Sequence, residues 1–399
     1  MKEKYSDESP RALPGKERIW TRDFILICLA NFFVFLSFQM TLPTIPLFVE
    51  ELGGNEQLIG FVVGIFTFSA LLIRPYAGHA LETKGRKYVY LTGLAIIILA
   101  VGSFGFLGSI ALLFVMRIIQ GVGWGFSTTA SGTIATDVIP PKRRGEGMGY
   151  YGLSGNLALA FGPSLGLILS ASLPFSWLFL ICAGLGLAAL ILSSTIRYKK
   201  MEQSPEKSVT VKWDIYEKSA LKPSILLFFI TVTFGGIASF LPLYTDDKGI
   251  SGIQMYFLVY AIALMLTRPF AGKLYDRKGH KAVFIPGAVL IVVAMVLLAW
   301  LPNTMILYAA AFLYGFGFGT VQPALQAWAM EKAPANRKGM ATATFFSFFD
   351  LGVGMGAMVF GQIGHAYGYQ SIYLTASLSV VIAILVYLIF LVQEKRAAV

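Results

Sequence analysis

A chain of 399 residues that is 56% hydrophobic and 13% charged is not a soluble globular domain, which carries about 25% charged residues. Its mean hydropathy is +0.70. The net charge of +11 does not indicate nucleic-acid binding, because the basic residues gather in short polar segments between long apolar blocks.

Residues 1–23 are polar and form the expected cytoplasmic tail. Twelve apolar blocks follow, at 24–49, 57–79, 88–106, 110–136, 148–171, 175–197, 223–246, 252–272, 282–301, 305–330, 340–365 and 371–392. Each is long enough to cross about 30 Å of hydrocarbon as a helix. They are too long, and alternate too little, for barrel strands. The first block is too long for a signal-peptide core. The expected organisation is a six-helix bundle over 24–197, a cytoplasmic linker over 198–222, a second bundle over 223–392 and a tail over 393–399. Within the linker, residues 209–216 are amphipathic and read as lying on the membrane surface. The remaining loops leave no room for a soluble catalytic domain.

Nearly all of the 32 Lys and Arg fall in segments on one side of the membrane, and the opposite loops hold Lys248. The positive-inside rule places both termini in the cytoplasm. The basic face then meets anionic lipid.

The chain repeats itself. Arg74-Pro75-Tyr76-Ala77-Gly78, followed by Glu82, Gly85, Arg86 and Lys87, returns as Arg268-Pro269-Phe270-Ala271-Gly272, with Asp276, Gly279 and Lys281. The offset is 194 residues (268 − 74). It also carries Gly121, Gly123 and Gly125 onto Gly315, Gly317 and Gly319, and Asp137, Pro140, Arg143 and Gly145 onto Glu331, Pro334, Arg337 and Gly339. Three segments in one register mean a duplicated unit, and two parallel halves around a central site is the logic of a transporter.

No G-x-x-x-x-G-K-[ST] loop is present, so a gradient rather than ATP supplies the energy. The Gly-x-Gly-x-Gly runs lie inside apolar blocks and read as close helix packing. Cys28 and Cys182 lie in different spans and give no disulfide framework. His79, His280 and His365 lack metal-ligand spacing. No cofactor, no metal and no enzymatic chemistry are expected, since no H-E-x-x-H and no nucleophile with a base is found.

Among acidic residues Asp350 lies well inside a span, and among basic ones Arg117 is deep. Arg74 and Arg268 stand near span ends, from where they can snorkel to the headgroups. A charge near the bilayer centre costs about 2.5–3.5 kcal/mol on insertion scales, so it usually faces a cavity or a partner. Asp350 therefore has two readings, a proton carrier or a paired group that organises the eleventh span. The offset sets it opposite Asn156. Arg117 opens a polar stripe that continues through Gln120, Gly121, Trp124 and Thr128. Its counterpart is Ala311, so scaffold symmetry does not require it; coupling, substrate binding and a structural ion pair are its readings. The first span carries Asn31, Phe35, Phe38 and Gln39 on one face, and the tenth carries Tyr314, Phe318, Gln322 and Gln326. Large apolar surface with a few amides suits a hydrophobic or amphiphilic ligand.

These residues resemble the major facilitator superfamily over essentially the whole chain. Gly78-x-x-x-Glu82-x-x-Gly85-Arg86-Lys87 is similar to the family signature between spans two and three, with Glu82 in place of the usual Asp. The second copy keeps Asp276 but has His280 where the signature has Arg. Arg117-x-x-Gln120-Gly121 resembles the fourth-span signature. Gly162-Pro163-x-x-Gly166, preceded by Gly149, resembles the fifth-span signature of the twelve-helix drug/proton antiporters, although Ala158 stands where that signature has Gly. The resemblance implies two pseudo-symmetric six-helix bundles that rock about a cavity lined by spans one, four, seven and ten. It implies a conformational gate in which Glu82 meets the start of the eleventh span near Gly339 and Met340. Asp276 makes the matching contact near Gly147 and Met148. Gly272, Gly279 and the bend at Gly162-Pro163 belong to the same gate. Many such antiporters carry an acid in span one. Here Asn31 and Gln39 are the polar candidates there, which leaves proton coupling to Asp350 and Arg117.

The expected function is secondary active transport by alternating access: a proton-coupled exporter of small hydrophobic or amphiphilic compounds such as drugs. The rival readings are a facilitator or proton symporter of a nutrient such as a sugar, an exporter of one metabolite, and a membrane sensor. Expected partners are the small-molecule substrate, protons and membrane lipid, with no nucleic acid. A monomer in the cytoplasmic membrane suffices.

Overall fold

The computed structural model describes residues 18–140, 143–198, 216–334 and 338–397. Its helices are α1 (Arg22–Glu51), α2 (Glu56–Thr83), α3 (Arg86–Phe104), α4 (Ile110–Val138), α5 (Arg144–Ser172), α6 (Phe175–Ser194), α7 (Leu221–Asp247), α8 (Ile253–Trp300), α9 (Thr304–Lys332), α10 (Lys338–Tyr367) and α11 (Tyr369–Ala397). Eleven described helical stretches are long and apolar enough to cross a membrane.

The twelfth span is inside α8. A straight helix of 48 residues would run about 72 Å, far more than any bilayer core. Gly279 interrupts it with φ 70° and ψ −178°, which only glycine adopts at little cost. The apolar pieces are Ile253–Thr267 and Arg277–Trp300. In the other half Gly85 has φ 91° and separates α2 from α3. The two glycines are repeat mates, so one backbone device serves both copies.

Short polar caps start the helices at the end of the bundle opposite the termini, here the distal end. Asn55 accepts from the Leu58 N–H, Ser109 from Leu112 and Asn303 from Ile306. Each satisfies an N–H that the first turn leaves free. Ser109 and Asn303 are again repeat mates. At the other end, the linker stretch expected to lie on the membrane surface falls almost wholly outside the described residues. A 3₁₀ turn, Lys218–Ala220, leads into α7, and Glu217 accepts from Ser219 to cap it.

The first half packs α1 on α5 and α6, α2 on α4, and α3 on α4 and α6. The second packs α7 on α10 and α11, and α8 on α9 and α11. The Gly-x-Gly-x-Gly runs explain how closely. A Cβ on Gly121 would come within 2.5 Å of the Phe66 carbonyl of α2, while Gly123 faces Gly93 of α3. Gly315 faces Tyr260, and Gly317 faces Gly287, across the two pieces of α8. Without side chains, helix backbones approach closely enough for dispersion to hold them in lipid.

The halves meet along α2–α10, α5–α8 and α1–α7. Glycines thin the α2–α10 seam. A Cβ on Gly60 would come within 2.6 Å of the Ala357 carbonyl, and one on Gly361 within 2.5 Å of the Glu56 carbonyl. Polar contacts close the distal end: Gln57 donates to Gln362 at 2.9 Å, Tyr369 donates to Glu56 at 3.2 Å, and His365 lies 3.4 Å from Glu56.

Candidate functional site

A cavity of about 30 Å³ lies between the halves, enough to admit water. Its wall is Phe38, Gln39 and Leu42 of α1, Val63, Phe66 and Thr67 of α2, Arg117 of α4, Phe234 of α7, and Phe349, Asp350 and Val353 of α10. The expected residues Gln39, Arg117 and Asp350 therefore meet here. The first, fourth and seventh spans contribute as the family resemblance implies. The second and eleventh spans take the place of the tenth.

Asp350 is held by a residue of the other half. Arg74 Nη2 lies 2.6 Å from Asp350 Oδ2, and Arg74 Nη1 donates to Ser347 Oγ at 2.9 Å. Arg74 does not reach for the headgroups but crosses from α2 to α10. The side chains are 19% and 29% exposed.

Arg117 is 1% exposed and faces other partners. Its Nη1 donates to Gln120 Oε1 at 2.6 Å and its Nε to the Val62 carbonyl at 3.0 Å. Its Nη2 is 3.4 Å from the Val63 carbonyl, and the guanidinium lies 4.5 Å from the centre of the Phe66 ring. Gln120 thus orients Arg117. The ring adds cation–π attraction. Trp124 packs on Phe35 at 4.9 Å and on Phe38 at 4.3 Å, forming the aromatic floor beside the cavity.

The other expected cavity residues stand elsewhere. Asn31 is buried in a network inside the first half. It donates to Ser154 Oγ at 2.8 Å and accepts from Tyr151 OH at 2.8 Å, and Ser131 bonds the same tyrosine. Tyr314 is fully buried, bonds Thr233 at 2.9 Å and stacks on Phe318. Gln322 donates to Gln326 at 3.3 Å.

At the expected gate, Arg86 pairs with Asp137, Lys87 is exposed, and a Cβ on Gly78 would meet no described residue within 4 Å. The repeat is not copied in full here. Glu331, the mate of Asp137, accepts from Tyr275, and His280, the mate of Arg86, stacks on Trp328 at 4.1 Å. Gly162 lies against Gln39 and Gly166 against Met40, so the fifth-span glycines, with Pro163 between them, seat α5 on α1 beside the cavity. The surroundings of Glu82, Gly272, Asp276 and Gly339 lie outside the described side chains, and so do the contacts expected of the two acids.

The residues that sequence reasoning missed are Arg74, Tyr151, Ser154 and the seam glycines. Each left a signal. Arg74 is a second intramembrane cation, and it, not the expected Arg117, is the partner of Asp350. Tyr151 and Ser154 stand three apart on one helical face, and Gly60 and Gly64 four apart.

Comparison with known proteins agrees with this architecture. The model of the Major Facilitator Superfamily matches residues 27–357. The staphylopine export protein of Staphylococcus aureus is 26% identical over 351 residues, covering 85% of this chain and 88% of that protein. Multidrug resistance protein MdtG of Enterobacter lignolyticus is 26% identical over 381 residues, covering 90% of each. Among solved structures, nucleoside transporter NupG superposes with a TM-score of 0.72 at 16% identity, covering 93% of this chain and 99% of that one. The human organic anion transporter MFSD10 does so with 0.64 at 19%, covering 92% and 98%. At such identities the solved structures speak for the fold alone. With its family model matched over most of its length, the chain belongs to the Major Facilitator Superfamily of membrane transporters.

Proposed function

We propose that this transporter is a proton-coupled exporter of small hydrophobic or amphiphilic compounds, working by alternating access as a monomer in the cytoplasmic membrane. Both termini face the cytoplasm, as the distribution of Lys and Arg argues. The observation that carries the reading is the Arg74–Asp350 pair, which ties α2 of one half to α10 of the other at the edge of an aromatic cavity. Protonation of Asp350 removes the carboxylate charge. Arg74 is released, and the contact between the halves on that side weakens. The halves then part there, and the cavity widens towards the roughly 300–1,000 Å³ of a ligand pocket. Loss of the proton to the other side restores the pair. A ligand that binds one state better drives the cycle in its own direction. The export functions of the staphylopine and multidrug relatives support the outward direction.

The test is proton flux in proteoliposomes with a trapped pH dye. Hydrophobic cations, amphiphilic anions and sugars are added in turn to wild type and to Asp350→Asn. A compound-triggered proton flux that the variant lacks is the expected result. Substrate movement without proton flux makes the protein a facilitator and returns Asp350 to a structural role.

A further inference from the structure

The cavity holds two charged side chains, and they are not equivalent. Asp350 is already neutralised by Arg74. Arg117 has no carboxylate within ion-pair distance among the described residues, and its partners are two backbone carbonyls, one amide and one ring, all neutral. A guanidinium carries five N–H groups, and these contacts engage three. Among the described residues, Arg74, Arg117 and Asp350 leave the cavity region with one uncompensated positive charge. A charge held at such depth calls for a counter-charge.

A second observation is independent of charge. Gln39 is 6% exposed, lines the same cavity, and its Oε1 is buried without a hydrogen-bond partner among the described residues. Native proteins rarely leave such an acceptor unmet, because burying it unpaired is costly. It calls for a ligand N–H or O–H.

We infer that the cavity selects amphiphilic anions: a carboxylate for Arg117, an adjacent N–H or O–H donor for Gln39, and an apolar body for the rings of Phe38, Phe66, Phe234 and Phe349. This rests on the proposed role of the cavity as the substrate site. A hydrophobic cation would add to the existing positive charge and leave Arg117 unmet. A bidentate carboxylate fits the planar guanidinium fork. Arg117 acts here as a binding group, and Asp350 is left free to carry the proton.

The test is binding by the full-length protein in nanodiscs at neutral pH. Four probes are compared: N-benzoylphenylalanine, its neutral carboxamide, its N-methylated acid and tetraphenylphosphonium. Wild type is expected to bind the acid at least tenfold more tightly than the carboxamide or the cation. Arg117→Gln abolishes that preference and Arg117→Lys retains part of it. Gln39→Leu keeps the preference for acid but loses the preference for the N–H acid over its N-methylated form. Stronger binding of the cation, an acid preference that survives in Arg117→Gln, or no binding of any probe overturns the inference. Gln39→Leu still tests it where Arg117 variants fail to fold. The two readings fail separately. If tetraphenylphosphonium drives Asp350-dependent proton flux while the acid does not bind, the exporter stands and the anion preference falls. If the acid binds through Arg117 and crosses the membrane without proton flux, the preference stands and proton coupling falls.

Discussion

Two alanine substitutions with the same local clash should have opposite consequences. The Cβ of Gly121→Ala meets the Phe66 carbonyl at 2.5 Å, and that of Gly361→Ala meets the Glu56 carbonyl at 2.5 Å. Ordinary contact begins near 3.4 Å, so either neighbour must retreat by about 0.9 Å (3.4 − 2.5). Backbone carbonyls cannot swing aside as a flexible side chain does, and overpacking of this kind costs about 1–3 kcal/mol. Gly121 sits between α4 and α2, inside one half, so the strain remains in every conformation and lowers stability. Gly361 sits on the α2–α10 seam between the halves, and its clash disappears when the distal end opens. The same 1–3 kcal/mol then moves a conformational equilibrium by about 5- to 150-fold. Spin labels at Gly108→Cys and Pro302→Cys, repeat mates on the distal loops of the two halves, read that opening once Cys28 and Cys182 are replaced by Ser. A Cβ at position 108 meets open space and position 302 is exposed, so the labels themselves intrude little. Gly361→Ala should populate a longer inter-label distance with its melting temperature in detergent nearly unchanged. Gly121→Ala should melt lower with the wild-type distance. A lower melt with no change of distance in Gly361→Ala would refute the seam as a conformational hinge.

Three further outcomes follow from the same geometry. Gly279→Ala and Gly85→Ala force a side chain into positive φ and should each cost about 1–3 kcal/mol, seen as a lower melting temperature; unchanged melting would mean the helices can continue through these positions. Asn31→Leu takes one hydrogen bond each from Ser154 and Tyr151, which keep the Tyr151 carbonyl and Ser131, and should destabilise by about 0.5–1.5 kcal/mol per lost bond, whereas a melt at the wild-type temperature would show the network to be dispensable. Arg74→Gln, Asp350→Asn and the double variant should lose gradient-driven transport to the same extent, because the second change removes a contact already broken; additive losses would mean the two residues act apart.

The parts of the molecule that rest on periodicity were legible in the chain. Apolar length marked the spans, and the offset of Gly85 onto Gly279 marked the break within the long helix α8. The Gly-x-Gly-x-Gly runs were legible as packing because they stand on apolar faces. Contacts between the halves were not, since they depend on how two bundles are set against each other. Arg74 and Asp350 are 276 residues apart, and no local spacing links them. The tenth-span stripe shows the opposite limit. Tyr314 and Phe318 do share a helical face, but an aromatic face packs as well inside a bundle as along a cavity, and here it is buried against α7 and α8.

The duplication kept its packing-run glycines and most of its gate charges but not its deep acid, and that asymmetry bears on coupling. Pseudo-symmetry exchanges the α2–α10 seam with the α5–α8 seam. The mate of Arg74 is Arg268, but the mate of Asp350 is Asn156 of α5. One seam therefore carries a carboxylate where the other carries an amide. An amide takes no proton in the useful range, so protonation can loosen one seam while leaving the other as it is. In the proposed proton-coupled cycle this inequality favours one face, because a proton that weakened both seams together would favour neither. Asn156→Asp removes the inequality by giving the second seam a carboxylate as well. An added contact of about 1 kcal/mol in one state slows its release by roughly fivefold. Turnover in proteoliposomes should fall by about that factor at saturating substrate. Wild-type turnover in Asn156→Asp would show that the second seam does not take part in the cycle as its symmetry suggests.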